Sequence, residues 1–113
     1  SEYKRQNLPV KLTMVDQIAE YIDIHSDTVT LQSVAAYFGY HPVYLSKLLP
    51  QKLGKSFSQI ITDARMKRAE LLLSHTDLSI EKIALMLGYS NSSNFYKAFK
   101  MTFGHSPRGG EEI

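Results

Sequence analysis

Apolar positions recur along the chain with the spacing of helices. Val15, Ile18, Ala19 and Ile22 step as i, i+3, i+4 and i+7, the stripe of an amphipathic helix ending near His25 or Ser26. Leu31, Val34, Ala35 and Phe38 repeat the stripe over a shorter segment, and Gly39 stops it as a helix C-terminal glycine does. Leu45, Leu48, Leu49 and Leu53 define a third helix closed by Gly54. Phe57, Ile60, Ile61 and Ala64 open a longer one that runs through Ala69, Leu72 and Leu73 to about Ser74. No segment alternates with the period of a strand over a useful length, so the pattern predicts an all-α fold. Residues 1–9 read as a flexible N-terminal linker, with Pro9 marking the start of order, and residues 109–113 as a C-terminal tail.

The pattern then recurs. Ile80, Ile83, Ala84 and Leu87 lie 49 residues after Leu31, Val34, Ala35 and Phe38, and Gly88-Tyr89 answers Gly39-Tyr40. Phe95, Ala98, Phe99 and Phe103 lie 50 residues after Leu45, Leu48, Leu49 and Leu53, with Gly104 answering Gly54, Lys97 answering Lys47 and Ser106 answering Ser56. One residue inserted in the second turn accounts for the slip. Repetition at this period means one supersecondary unit used twice. Each unit is a short helix, a turn containing glycine and a longer helix, which is the helix-turn-helix pattern. The organisation expected is one domain over residues 10–108, with helix-turn-helix units at about 28–54 and 79–104 and a linker helix at about 56–74.

Composition narrows the function classes. The chain has 113 residues, 43% of them apolar and 21% charged, as expected for one globular domain. It has no cysteine, which excludes a disulfide framework, a thiolate metal site and a cysteine nucleophile, and fits a cytoplasmic protein. No apolar run approaches the roughly 18 residues of a membrane span. Net charge is only +2, but it is unevenly placed. No Lys or Arg occurs from Leu12 to Ser46, where Asp16, Glu20, Asp23 and Asp27 stand. From His41 to Arg68 come Lys47, Lys52, Lys55, Arg65, Lys67 and Arg68 against Asp63 alone, and from Tyr89 to Arg108 come Lys97, Lys100 and Arg108 with no acid. Two separated basic segments suit a phosphate-facing surface.

In a helix-turn-helix unit the second helix lies in the major groove, where each base pair shows a distinct set of donors and acceptors. The core stripes fix what faces outward. With Leu45, Leu48 and Leu49 inside, Val43, Ser46, Lys47 and Pro50 project away; with Phe95, Ala98 and Phe99 inside, Ser93, Tyr96, Lys97 and Lys100 do, beside Ser92 and Asn94. A linker helix of 56–74 would be about 28 Å long, close to the roughly 34 Å between successive turns of major groove. One monomeric domain could then read two groove turns on one face of double-stranded DNA.

These residues resemble the DNA-binding domain of the AraC/XylS family of bacterial transcription regulators. The matching stretches are Gly39-Tyr40-His41-Pro42-Val43-Tyr44-Leu45-Ser46-Lys47-Leu48, Arg65-Met66-Lys67-Arg68-Ala69-Glu70-Leu71-Leu72 and Ile80-Glu81-Lys82-Ile83-Ala84-Leu85-Met86-Leu87-Gly88-Tyr89. The last continues through Asn94-Phe95-Tyr96-Lys97-Ala98-Phe99-Lys100 to Phe103-Gly104-His105-Ser106-Pro107. The resemblance implies about seven helices with two homeodomain-like helix-turn-helix units, and binding to promoter DNA. It places base contacts on Val43, Ser46, Lys47, Ser92, Ser93, Asn94 and Lys97, with His41 and Tyr44 near the DNA backbone. The remaining outward and basic residues, Lys55, Lys67, Arg68, Tyr96 and Lys100, complete the expected backbone contacts. The family also implies a preceding sensing or dimerisation domain and contact with RNA polymerase.

Two positions depart from the family pattern. Pro50 stands where a basic residue usually continues the first reading helix, so that helix is expected to kink or stop near Leu49. Ser106-Pro107-Arg108 is followed by Gly109-Gly110 rather than by an aromatic-Arg pair, which leaves a last helix short or absent.

Catalytic readings lack support. Gly109-Gly110-Glu111-Glu112 looks like a diguanylate cyclase signature, but that chemistry needs an α/β nucleotide site around it. Gly54-Lys55-Ser56 has Leu49 where a phosphate loop needs glycine, and no strand precedes it. His25, His41, His75 and His105 share no metal-ligand spacing, so no enzyme, cofactor or metal site is expected. The alternative from another class is a protein-interaction module that docks on RNA polymerase and touches DNA only non-specifically.

Overall fold

A computed structural model describes residues 13–107, and among them it shows six helices and no strand: α1 (Met14–Ile24), α2 (Leu31–Phe38), α3 (Pro42–Leu53), α4 (Phe57–His75), α5 (Ile80–Leu87) and α6 (Ser92–Phe103). The expected linker, the tail and the further helix after Pro107 lie outside the described residues.

The repeat in the sequence is a repeat in three dimensions. α2 and α5 are both eight residues long, and α3 and α6 both twelve. Thr30 and Ser79 cap the short helices, their hydroxyls accepting from the amides of Ser33 and Lys82. Each such cap satisfies an orphan amide and stabilises by about 1 kcal/mol. Gly39 and Gly88 end those helices at φ 79° and 103°. There the next residue folds back, Tyr40 N–H donating to Ala35 O at 2.8 Å and Tyr89 N–H to Ala84 O at 3.0 Å. Such a turn needs a left-handed residue, which costs roughly 1–2 kcal/mol for any residue with a Cβ.

Pro50 does not stop α3 near Leu49. The helix continues to Leu53, and Gly54 N–H closes it on Pro50 O at 2.9 Å. Proline here removes the amide that would reach the Ser46 carbonyl and crowds that carbonyl with its ring, on an exposed face of the helix. Against that loss, Leu45 and Leu49 are fully buried, each worth about 1.5–3 kcal/mol. Packing on the far side holds the last turn in place.

Two cores share one helix. Ile18, Ile22, Val34, Ala35, Leu45, Leu48 and Leu49 form the first, joined by Phe57, Ile60 and Ile61 from the start of α4. Ile80, Ile83, Ala84, Leu87, Phe95 and Phe99 form the second, with Met66, Ala69, Leu72 and Leu73 from the rest of α4. At 100° per residue these two faces of α4 point about 140° apart. The first unit brings its own third helix, α1; the second uses α4 in that role.

Candidate nucleic-acid interface

α3 is set by its leucine stripe and by His41, whose Nδ1 accepts from Val43 N–H at 3.2 Å and so caps the helix. Pro42 at the first helical position has no amide to leave unpaired. With Leu45, Leu48 and Leu49 inside, Val43 and Tyr44 stand 54% and 52% exposed, and Ser46 and Lys47 are exposed beside them. Tyr44 leans on Tyr40, ring centroids 5.3 Å apart, which restrains its position at the surface. Ser46 Oγ donates to Val43 O at 2.7 Å, so its proton is already engaged within the helix.

α6 is built the same way on aromatic residues. Phe95 is fully buried and meets Phe99 edge-on with centroids 5.8 Å apart. Asn91 caps the helix, its Oδ1 accepting from Asn94 N–H at 2.9 Å. Ser93, Asn94, Lys97 and Lys100 are exposed, while Ser92 and Tyr96 are half-buried. Tyr96 packs partly against the second core. No side-chain hydrogen bond holds the Asn94 amide among the described residues, so its donor and acceptor edge is open. The partial positive charge of the helix N-terminus and the two lysines favour phosphate on this side.

Of the basic residues expected at the DNA backbone, Lys55 and Arg68 have partners within the protein and Lys67 is exposed. Lys55 Nζ pairs with Asp63 Oδ2 at 2.6 Å, and Gln59 Nε2 donates to the other carboxylate oxygen at 2.8 Å. The Lys55 hydrogen bond, with that from Gln59 and the Lys55 charge, lowers the Asp63 carboxyl below its ordinary value, and desolvation opposes it only in part. Lys55 and Lys67 line a groove between α1 and α4 whose other walls include Glu20, Asp23 and Asp63.

Arg68 turns inward. Its Nη2 donates to Asp23 O at 2.8 Å and Ile24 O at 3.1 Å, and its Nη1 to Ser26 Oγ at 3.1 Å. It satisfies the carbonyls that end α1 and supplies the cation that the last turn of α1 lacks. Arg65, one turn earlier, donates from Nε to Ser26 O at 2.9 Å and lies over the Tyr89 ring, 4.8 Å from its centroid. Ser26, 1% exposed, is the buried polar residue both arginines serve. Sequence reasoning missed Arg65, Ser26 and Tyr89 as a group. The signal was present, since positions 61, 64, 65, 68, 69 and 72 make one helical stripe with two arginines inside it.

Among the described residues no helix is long and apolar enough to cross a membrane. Residues 34–109 match a family model described as a helix-turn-helix domain. The regulatory protein PocR of Salmonella typhimurium is 40% identical over 89 residues, which cover 78% of this chain and 29% of that protein. The chain spans less than a third of the curated relatives it matches first. Among solved structures, the C-terminal domain of the response regulator AraT from Geobacillus stearothermophilus superposes with TM-score 0.81 at 39% identity, covering 88% of this chain and 84% of that one. A transcriptional regulator from Chromobacterium violaceum, one of the AraC-type DNA-binding domain-containing proteins, gives TM-score 0.76 at 26% identity over 83% of this chain and 85% of its own. The chain belongs to the AraC/XylS family of transcription regulators, as a helix-turn-helix DNA-binding domain.

Proposed function

We propose that this domain binds duplex promoter DNA sequence-specifically, α3 and α6 entering two successive turns of the major groove. The observation that carries this reading is the pairing of two twelve-residue helices, each with an exposed first turn, about a 19-residue rod. Base edges fall to Val43, Ser46 and Lys47 from α3 and to Ser92, Ser93, Asn94 and Lys97 from α6. His41, Tyr44, Tyr96 and Lys100 flank them at the backbone. Lys67, which is exposed, stays with them, whereas Lys55 and Arg68 are left out because the first is paired with Asp63 and the second is bonded within the protein.

The test is selection of a preferred duplex from random DNA with this chain, followed by footprinting and binding at several salt concentrations. Two protected half-sites about 10–10.5 base pairs apart, and affinity that falls steeply with salt, are expected. Protection of a single half-site, or equal affinity for random duplex, counts against the reading.

A further inference from the structure

Among the described residues the two helix-turn-helix units meet at a junction that the sequence repeat does not contain. The α1–α2 loop of the first unit meets the Gly88-Tyr89 turn of the second, and Arg65 of α4 lies between them. Its Nε holds Ser26 O at 2.9 Å and its guanidinium covers the Tyr89 ring. The approach is close: a Cβ on Gly88 would stand 2.5 Å from Asp27 O and 2.8 Å from Arg65 Nη2. At the matched position, Gly39, nothing lies within 4 Å. Arg68 fixes the near side of the junction through Asp23 O, Ile24 O and Ser26 Oγ.

We infer that Arg65 is a positioning residue that locks the angle between the two units and so makes the domain selective for the spacing between its half-sites. Each unit has its own core, so without a junction the units are coupled only through α4. Guanidinium is suited to a lock: it is planar, always charged, and bonds along its edge while stacking on its face. The geometry uses both modes at once, edge to one unit and face to the other. One base pair inserted between half-sites rotates the second by about 34° and moves it about 3.4 Å. A locked pair of reading helices cannot follow that turn, whereas an unlocked pair can. The inference rests on the two-groove reading above.

The experiment measures binding to the duplex selected by the unaltered chain, and to versions carrying one, two or five base pairs inserted between the half-sites, at fixed salt. The unaltered chain loses at least tenfold in affinity with one or two insertions. Arg65→Met binds the selected spacing several-fold less tightly, and its further loss on insertion shrinks below about threefold. Arg65→Lys behaves alike, because it keeps the charge and loses the fork; retention of strict spacing by Lys would reduce the residue to an electrostatic role and overturn the proposal. Tyr89→Leu and Gly88→Ala relax spacing through the other side of the junction, while Gly39→Ala keeps the unaltered profile. A second readout needs no DNA. The chain has no cysteine, so spin labels on Lys52→Cys and Met101→Cys report the distance between α3 and α6, and that distribution broadens in Arg65→Met. Variants with spacing as strict as the unaltered chain, and an equally narrow distribution, overturn the lock alone. A flat spacing profile in the unaltered chain itself overturns the two-groove reading and the lock with it.

Discussion

The two helix-turn-helix units are built from the same local rules and stand in different surroundings. Short helix, left-handed glycine, long helix and second glycine recur with matching lengths. Yet the first unit packs leucines against α1, and the second packs phenylalanines against the C-terminal part of α4. Its turn lies close against a neighbour where the first unit's turn is open. Their reading faces differ as well. α6 offers Ser93, Asn94, Lys97 and Lys100, whereas α3 offers Val43, a Ser46 whose proton is already bonded, Lys47 and a proline in place of the matched Lys100. A repeated fold unit therefore need not be a repeated functional unit: neighbours and outward side chains set stability and recognition separately from the backbone they share.

The largest effect expected from breaking the match is in the cores. Phe95→Ala should cost about 3–5 kcal/mol and Leu45→Ala about 2–5 kcal/mol, since both side chains are fully buried and their sites cannot collapse completely. Chemical denaturation of each variant checks the order; equal and small losses would mean the cores repack freely.

The turns come next. Gly39→Ala should cost about 1–2 kcal/mol from left-handed strain alone. Gly88→Ala should cost about 1–3 kcal/mol more, because its methyl also meets the Asp27 carbonyl. Thermal melts of the pair isolate the junction, and identical shifts would show that it yields without resistance.

Recognition should be just as unequal. Asn94→Ala is expected to lose about 1–3 kcal/mol on one base pair of the selected duplex while leaving random DNA nearly unaffected. Ser46→Ala should lose less. A base-substitution scan at fixed salt gives the answer, and greater selectivity loss from Ser46 would reverse the assignment. Pro50→Lys tests the remaining asymmetry and should raise the salt slope by about one unit if the new ammonium reaches phosphate. An unchanged slope places that end of α3 off the DNA.

The smallest effect concerns the Lys55–Asp63 pair. The Asp63 carboxyl titrates below its ordinary value in the folded chain, so the contact stabilises above about pH 4 and is lost as pH falls through the lowered value. Both side chains are well exposed, which limits the contribution to under about 1 kcal/mol. Asp63→Asn should therefore be slightly less stable than the parent at pH 6, with the gap closing toward pH 3; a gap that widens in acid would contradict the sign.

Much of this molecule is legible along the chain because helices are local. The stripe Leu45-Leu48-Leu49-Leu53 and its counterpart at Phe95 needed only a period of 3.6 residues, and the left-handed glycines needed only their place after each stripe. Those features determined the helices, the repeat and which side of each reading helix faces outward; that the apolar stripes gather into two cores, rather than the single one expected of a chain this size, was decided by the fold. The charged residues did not obey the same logic. Lys55, Arg65, Lys67 and Arg68 share one mostly basic segment of the sequence, yet the fold distributes them among a groove beside α1, an inter-unit junction and the end of α1. Pro50 likewise reads as a break until the packing behind it is counted. A side chain's hydrophobic face is set by its neighbours three and four residues away, but a cation's partner depends on what the fold brings near it. Ser26 and Asp23 lie about forty residues from the arginines that hold them, and only tertiary structure closes that distance.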